Sequence, residues 1–187
     1  MHNYFEVYYF IDKFNLKDLL NIKRKINIIF RDYSKNNDQN EILKTKIFCK
    51  KKGFNLYLAN NVNLAIKLGL NGVYLPAFNK NLKYKNISCN KQFKIIGSAH
   101  NIEEIRIKEN QNCEKIFISP LFQTKKNKNY LDVVRFNFLA NITKKEIICL
   151  GGINSNNLNR VNLTKSKGIA SISWIKKNGL NINLGRF

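Results

Sequence analysis

Ile147-Ile-Cys-Leu-Gly-Gly-Ile-Asn154 is an apolar run that ends in two consecutive glycines, and a polar stretch with helical spacing follows it. Such a run predicts a buried strand, and the glycines predict a tight turn between that strand and a helix. Glycines let backbone N–H groups approach an anion closely, near a helix N-terminus whose dipole favours negative charge. The stretch therefore predicts either a phosphate-binding turn or a plain strand-to-helix turn.

This run is the seventh of eight apolar runs along the chain. The runs are rich in Ile, Val, Phe and Tyr, and most of them do not alternate apolar with polar residues. Strands that are covered on both faces show this pattern. The eight runs are Phe5–Ile11, Ile26–Phe30, Asn55–Ala59, Gly72–Leu75, Phe93–Gly97, Lys115–Ser119, Ile147–Leu150 and Gly168–Ser173. Stretches with apolar residues at helical spacing lie between them: Gln39–Lys51, Val62–Leu68, Ile102–Glu109 and Asn156–Leu163. This alternation indicates a parallel α/β fold, either a closed barrel or a doubly wound sheet.

Two features favour the closed (β/α)8 TIM barrel. The first run is not followed by the glycine-rich turn that a dinucleotide-binding sheet needs. The glycines that suit a phosphate follow the seventh run instead, and Gly168-Ile-Ala-Ser-Ile-Ser173 supplies hydroxyl groups at the eighth. Barrels often build a phosphate site from these two loops together.

The chain length of 187 residues suits a single domain over residues 1–187. Because ~250 residues is typical of such barrels, we expect a compact barrel with short helices. The stretch after Trp174 lacks helical periodicity, so we expect a reduced last helix. The absence of a signal peptide and of an apolar run of ~20 residues favours a cytoplasmic protein without a membrane segment.

The formal net charge is +21, and lysine far outnumbers arginine. The lysines are spread along the whole chain, whereas nucleic-acid-binding proteins usually gather basic residues on one element. We therefore interpret the charge as compositional bias and expect no specific nucleic-acid partner, although the positive field would attract phosphorylated metabolites. The four cysteines, Cys49, Cys89, Cys113 and Cys149, form no CxxC pair and predict neither a zinc site nor a disulfide framework.

Further candidates follow other predicted strands. Arg31 ends the second, and His100 follows the fifth, where it could bind substrate, shuttle a proton or cap the next helix. The basic loop after the sixth strand begins at Pro120 and offers Thr124 and several lysines to substrate phosphates, unless it is simply a solvated loop. In a barrel all of these would lie at the same end.

Eight segments in this order resemble the thiamine phosphate synthase and thiazole tautomerase family across nearly the whole chain. The fourth, Gly69-Leu-Asn-Gly-Val-Tyr-Leu75, is similar to the family's Gly-Ala-Asp-Gly-Val-His-Leu. The segments are Tyr8–Asp12, Ile28–Tyr33, Leu58–Ala65, Gly69–Leu75, Ile96–His100, Ile118–Thr124, Leu150–Asn154 and Gly168–Ser173.

The resemblance implies a known reaction, in which a hydroxymethylpyrimidine pyrophosphate and a thiazole phosphate form thiamine phosphate and release pyrophosphate with help from Mg²⁺. It implies that Arg31 and Ser98 contact the pyrimidine pyrophosphate, and that Thr124 and Lys126 line the shared centre. Of these, Arg31, Ser98 and Lys126 are the predicted catalytic residues. The predicted substrate-binding residues are His100, Thr124, Gly151, Gly152, Ile172 and Ser173.

The chain departs from the family pattern at the metal end. The positions of the family's two Mg²⁺-binding aspartates are Asn60 and Asn79 here. An amide oxygen can ligate Mg²⁺ but brings no charge, so we expect weak binding. Tyr33 replaces a lysine beside Arg31, and Pro120 stands at the position of the tautomerase's catalytic histidine. The alternative to an active synthase is therefore a non-catalytic binder of thiazole phosphate or thiamine phosphate.

Overall fold

Eight parallel strands close into a barrel in the computed structural model, which describes residues 5–32, 38–86, 92–125 and 128–172. Each strand pairs with its neighbours in chain order, and β8 closes the ring against β1. The strands are β1 Glu6–Ile11, β2 Asn27–Phe30, β3 Asn55–Ala59, β4 Gly72–Leu75, β5 Lys94–Ala99, β6 Lys115–Ile118, β7 Glu146–Leu150 and β8 Gly168–Ser171. The prediction of a (β/α)8 barrel is confirmed.

Short helices connect the strands and pack against the outside of the barrel. They are α1 Leu16–Leu20, α2 Gln39–Lys52, α3 Val62–Lys67, α4 Ile102–Asn110, α5 Asp132–Asn141 and α6 Leu158–Val161, with a 3-10 helix at Leu82–Asn86. The expected reduced last helix falls on residues 173–187, outside the described residues. Within the described ranges, no helix is both long and apolar enough to cross a membrane.

Side-chain caps set the start of the helices that follow β2 and β5. Asp38 accepts hydrogen bonds from the N–H groups of Asn40 and Glu41 at the start of α2, and Asn101 accepts one from Glu104 at the start of α4. Capping satisfies donors that the first helical turn leaves without intrahelical partners. These caps therefore fix where each loop at the end of a strand gives way to its helix.

Aromatic side chains fill the inside of the barrel. Phe10, Tyr74 and Phe117 meet edge to face, with ring centroids 5.2 Å apart for Phe10 and Tyr74 and 5.6 Å apart for Tyr74 and Phe117. Below them, Tyr8 packs on Phe117 at 4.8 Å, and Tyr57 lies beside Tyr8. The interior is a packed core, as in other barrels of this class, so ligands can enter only above it.

A buried lysine closes the opposite end of the barrel, where the strands begin. Lys115 forms ion pairs with Glu6 and Glu146, and the Tyr8 hydroxyl also donates to Glu6. Burial disfavours the charge on Lys115, but the hydrogen bonds to Glu146 and Glu6 outweigh it and raise the pKa of this ammonium. The charged groups thus tie β1, β6 and β7 together at their amino ends.

Candidate functional site

The carboxyl ends of the eight strands meet at one end of the barrel, here called the carboxyl rim. The candidate residues lie in or after these strand ends. They are Arg31 after β2, Asn60 after β3, Asn79 after β4, Ser98 in and His100 after β5, Thr124 after β6, Gly151 and Gly152 after β7, and Ile172 after β8. The other two candidates, Lys126 and Ser173, lie outside the described residues. The barrel thus brings the described candidates to one rim.

Arg31 lines a cavity of about 120 Å³. Its backbone N–H donates to the Ile11 carbonyl at 2.7 Å, and its guanidinium lies 5.0 Å from the centroid of the Phe10 ring. A cation over an aromatic face is attracted by the ring quadrupole. Asp12 and Ile172 also line the cavity, which therefore extends from β2 across β1 to β8.

Ser98 offers a buried hydroxyl to the inside of the rim. Ile96, two residues earlier, packs in the interior cluster, so strand alternation directs Ser98 inward as well. The side chain is 4% exposed, and its hydroxyl has no hydrogen-bond partner among the described residues. Ser119, directly after β6 and two residues beyond the interior-facing Phe117, is a second buried serine at this rim that the sequence did not single out. Buried polar groups in proteins usually have hydrogen-bond partners, so the Ser98 hydroxyl is a candidate donor to a ligand or water.

His100 is fixed by the helix that follows it. Glu104 accepts a hydrogen bond from the His100 backbone N–H at 2.7 Å, and the same carboxylate oxygen lies 2.9 Å from Nδ1 of the imidazole. The ring remains half exposed. Asn101, and not His100, caps α4. The carboxylate therefore orients the imidazole and leaves Nε2 pointing away from Glu104.

Gly151 and Gly152 form a turn that packs tightly on the loop after β6. Both have positive φ values, +95° and +72°, and a Cβ on Gly152 would lie 2.3 Å from the Phe122 carbonyl oxygen. Neither the N–H of Gly152 nor that of Ile153 donates to an acceptor in the described part of the chain. The turn thus presents free N–H donors, as an anion-binding nest does.

The helix after this turn is shorter and later than predicted. The sequence predicts helical spacing over Asn156–Leu163, but α6 covers only Leu158–Val161. Asn157 instead donates from Nδ2 to the Gly152 carbonyl at 2.9 Å and accepts from the Asn154 N–H. Side-chain amides compete well with helical hydrogen bonds in such asparagine-rich turns. The expected helix dipole next to the glycines is therefore absent, and the donors are those of the turn itself.

Asn60 and Asn79 are joined by a hydrogen bond. Nδ2 of Asn79 donates to Oδ1 of Asn60 at 2.7 Å, and Oδ1 of Asn79 accepts from the N–H of Asn81 at 3.0 Å. Asn60 has a φ of +59°, a conformation that asparagine tolerates better than most residues. Its backbone N–H donates to the Tyr74 carbonyl, which anchors the pair to β4.

A buried lysine on α4 lies behind this asparagine pair. Lys108 is fully buried and donates to the carbonyl oxygens of Pro76 and Asn79 at 2.9 and 2.7 Å and to Oε1 of Gln111 at 2.9 Å. Burial lowers the pKa of this lysine to about 8. Lys108 was not among the residues predicted from the sequence, although a lysine three residues after Ile105 stands on the buried face of the predicted helix.

Comparison with known proteins identifies the family. Residues 17–175 match a family model described as thiamine monophosphate synthase. The chain belongs to this family. The resemblance found in the sequence is confirmed by a match that spans most of the chain.

Curated relatives of the thiamine monophosphate synthase family agree with this assignment. The thiamine-phosphate synthase of a Prochlorococcus marinus strain is 32% identical over 130 residues, which are 66% of this chain and 37% of the relative. That of Helicobacter pylori is 28% identical over 138 residues, which are 71% of this chain and 63% of the relative. The chain thus spans less than two thirds of the length of these relatives.

Solved structures match in fold. Thiamine phosphate pyrophosphorylase from Pyrococcus furiosus superimposes with a TM-score of 0.76 at 19% identity, covering 95% of this chain and 90% of that one. N-(5'-phosphoribosyl)anthranilate isomerase from Pyrococcus furiosus gives a TM-score of 0.62 at 15% identity, covering 94% and 92%. At these identities the likeness shows the barrel fold alone.

The residues at the family's metal positions do not fit Mg²⁺. Hard divalent cations bind oxygen ligands, preferably carboxylates. The side-chain oxygens of Asn60 and Asn79 already accept hydrogen bonds, and the ammonium of Lys108 lies 2.7 Å from the Asn79 carbonyl. Among the described residues, no three His, Cys, Asp or Glu side chains gather into a possible metal site.

Proposed function

We propose that the chain is a thiamine phosphate synthase that joins hydroxymethylpyrimidine pyrophosphate to thiazole phosphate. In this reaction the bond between the pyrimidine methylene carbon and the pyrophosphate oxygen breaks, and its electron pair leaves with pyrophosphate. The thiazole nitrogen then supplies the electron pair of the new C–N bond. Family membership supports the proposal. The observation that carries it is that Arg31, the buried Ser98 hydroxyl and the Gly151–Gly152 turn lie at the same rim of the barrel.

Arg31 and Ser98 are the proposed contacts of the pyrophosphate. The reaction separates charge, so groups that stabilise the leaving anion lower the barrier most. Phe10 packs against the guanidinium and limits its freedom, which favours a preorganised cation beside the cavity. The unpartnered Ser98 hydroxyl adds a donor inside the rim. Lys126 is proposed as a further cation for the leaving group.

The side of the rim formed by the ends of β7 and β8 is proposed to hold thiazole phosphate. The free N–H groups of the Gly151–Gly152 turn support this role, because phosphate oxygens accept such donors readily. Ile172 lines the cavity and Ser173 follows it in the chain, so this end of β8 would complete the cradle. Thr124 and His100 are proposed to face the space between the two phosphate ends.

A second candidate function is a non-catalytic binder of thiazole phosphate or thiamine phosphate. The observation that favours it is the loss of both aspartates at Asn60 and Asn79, while the glycine turn keeps its donors. Such a protein would bind the thiazole phosphate end and form no product. It therefore differs from the synthase in turnover and not in affinity.

Incubation of the purified protein with both precursors separates the two functions. We expect thiamine phosphate to accumulate over many turnovers, with chromatographic detection, both in EDTA and with added Mg²⁺. Binding of thiazole phosphate by calorimetry, without product in either condition, would support the binder instead. Failure to bind either precursor would contradict both.

A further inference from the structure

A one-directional chain of hydrogen bonds runs from the buried Lys108 to the carboxyl rim. The ammonium donates to Oε1 of Gln111. Nε2 of Gln111 donates to Oδ1 of Asn79 at 3.3 Å and also to the carbonyl oxygens of Asn79 and Asn81, both at 3.0 Å. Nδ2 of Asn79 then donates to Oδ1 of Asn60 at 2.7 Å. Each step points its donor toward the rim.

The donors and acceptors at the ends of this chain fix every amide orientation in it. An ammonium can only donate and a backbone carbonyl can only accept, so Gln111 must turn Oε1 to Lys108 and Nε2 to the carbonyls. The N–H of Asn81 fixes Oδ1 of Asn79 in the same way. Asn60 therefore ends the chain with its Nδ2, a donor for which the described residues supply no acceptor.

We infer that the Asn60–Asn79 pair binds a diphosphate anion directly, through Nδ2 of Asn60, where other family members would place a metal ion. The inference rests on the proposed function for the identity of the natural ligand, but the preference for an anion rests on the hydrogen bonds and charges of the site. The site donates to pyrophosphate oxygens and offers a cation no charged oxygen ligand, since both side-chain oxygens are amide oxygens that already accept hydrogen bonds.

The local charge supports an anion. The three hydrogen-bond partners of Lys108 are neutral oxygens, so none of them cancels its positive charge. The Glu104 carboxylate acts on Lys108 from a distance and offsets only part of that charge. A buried charge acts through a low dielectric and is screened less than a surface one. At the Asn60–Asn79 pair this field attracts an anion and repels Mg²⁺.

The position of the pair suits a diphosphate that also contacts Arg31. Strand pairing sets Phe30 opposite Leu58, so Arg31 lies level with Ala59, one residue before Asn60. Neighbouring strands are about 4.8 Å apart. The backbones of Arg31 and Asn60 therefore leave adjacent strands at nearly the same level of the rim, which is the spacing that a shared diphosphate requires.

Calorimetric titration with inorganic pyrophosphate tests the inference without any chemistry. In EDTA, we expect the wild-type protein to bind pyrophosphate and Asn60→Asp to weaken binding at least about tenfold, because a donor becomes a charged acceptor. Added Mg²⁺ should restore much of the affinity of Asn60→Asp. Aspartate is nearly isosteric with asparagine and tolerates the same positive φ, so the variant should fold.

The matched control is Asn61→Asp, which adds the same charge at the next residue. Asn61 caps α3 through its side-chain oxygen, which aspartate retains; we expect at most about a threefold loss of affinity from the added field. Thermal unfolding first shows whether Lys108→Met is folded. A folded Lys108→Met should also bind pyrophosphate more weakly without metal. If it is unfolded, the comparison of Asn60→Asp with Asn61→Asp decides.

Wild-type binding of pyrophosphate only in the presence of Mg²⁺, or equal metal-free affinities for wild type and Asn60→Asp, would overturn the inference. Because no product is formed in this titration, such a result would leave the proposed synthase reaction standing. Conversely, the wild-type protein could bind pyrophosphate without metal and yet form no thiamine phosphate. That result would support the inference and contradict the proposed function.

Discussion

Gly152 is constrained both by its backbone conformation and by its surroundings. Its φ of +72° resembles that of Gly53, +68°, but a Cβ on Gly53 would meet no atom within 4 Å, whereas one on Gly152 would lie 2.3 Å from the Phe122 carbonyl oxygen. Comparing substitutions at the two glycines therefore separates the cost of a positive φ from the cost of steric overlap. The pair of glycines was visible in the sequence, but its close contact with the loop after β6, which leaves no room for a Cβ on Gly152, was not.

Gly53→Ala should lower the free energy of unfolding by about 1 kcal/mol, the cost of positive φ for a residue with a Cβ. Gly152→Ala should lower it by about 3 kcal/mol, because steric overlap is added to the same strain. Urea denaturation of the two variants measures the difference. Equal losses would show that the loop after β6 yields to the new methyl group.

The N–H groups of Gly152 and Ile153, which meet no acceptor in the part of the chain that the structure describes, predict a preference between two thiazole ligands. Thiazole phosphate should bind at least about tenfold more tightly than the corresponding alcohol, since charge-assisted hydrogen bonds are the strong ones. Calorimetry with both ligands measures the ratio. Equal affinities would refute the phosphate-binding role of the turn.

At the scale of helices and strands, the limits of prediction have physical causes. The strand runs are apolar on both faces, which made them easy to recognise, and β3 and β4 begin and end where predicted. Helix α5 was missed because Val134, Phe136 and Phe138 alternate like a strand, although only Phe136 of these is buried. Such β-branched and aromatic residues disfavour helices by propensity, and tertiary packing overrides it.

The ion pairs of Lys115 connect three strands at their amino ends, and their contribution depends on pH. The hydrogen bond from Lys115 is the first cause that lowers the pKa of Glu146 from its ordinary value of 4.5. A carboxyl group whose pKa is lowered by folding stabilises the folded state at pH values above its ordinary pKa. This stabilisation disappears as the pH falls through the pKa of the folded state. Lys115 has a raised pKa, so its contribution is lost only at alkaline pH.

Lys115→Met should therefore lower the free energy of unfolding by about 2 kcal/mol at pH 7. The loss is smaller than for a fully buried ion pair, because both carboxylates are partly exposed. Between pH 6 and pH 3, roughly the range over which a lowered carboxyl titrates, the variant should lose less stability than the wild type. Lys94→Met, which removes an exposed pair with Glu114, should cost about 0.5 kcal/mol or less. Parallel pH profiles for wild type and Lys115→Met would contradict this role.

For the whole molecule, the fold and the family were accessible from the sequence because both depend on residues in order along the chain. The amide orientation of the Asn60–Asn79 pair was not, since it depends on the Asn81 N–H and on Gln111, which Lys108 orients. Sequence spacing does not show which side chains meet in such a network. The net charge of +21 likewise gives attraction for phosphates without showing where they bind.

The most direct test of the proposed synthase is pyrophosphate release by the purified protein supplied with both precursors, measured alongside thiamine phosphate. We expect equal amounts of the two products and a rate that falls about 100-fold in Arg31→Ala, the range seen when a charge-stabilising donor is removed. Arg106→Ala, which removes the same charge from an exposed ion pair on α4, should stay within about twofold of wild type. Release of pyrophosphate without thiamine phosphate, or an unchanged rate in Arg31→Ala, would contradict the assignment of the reaction to this rim.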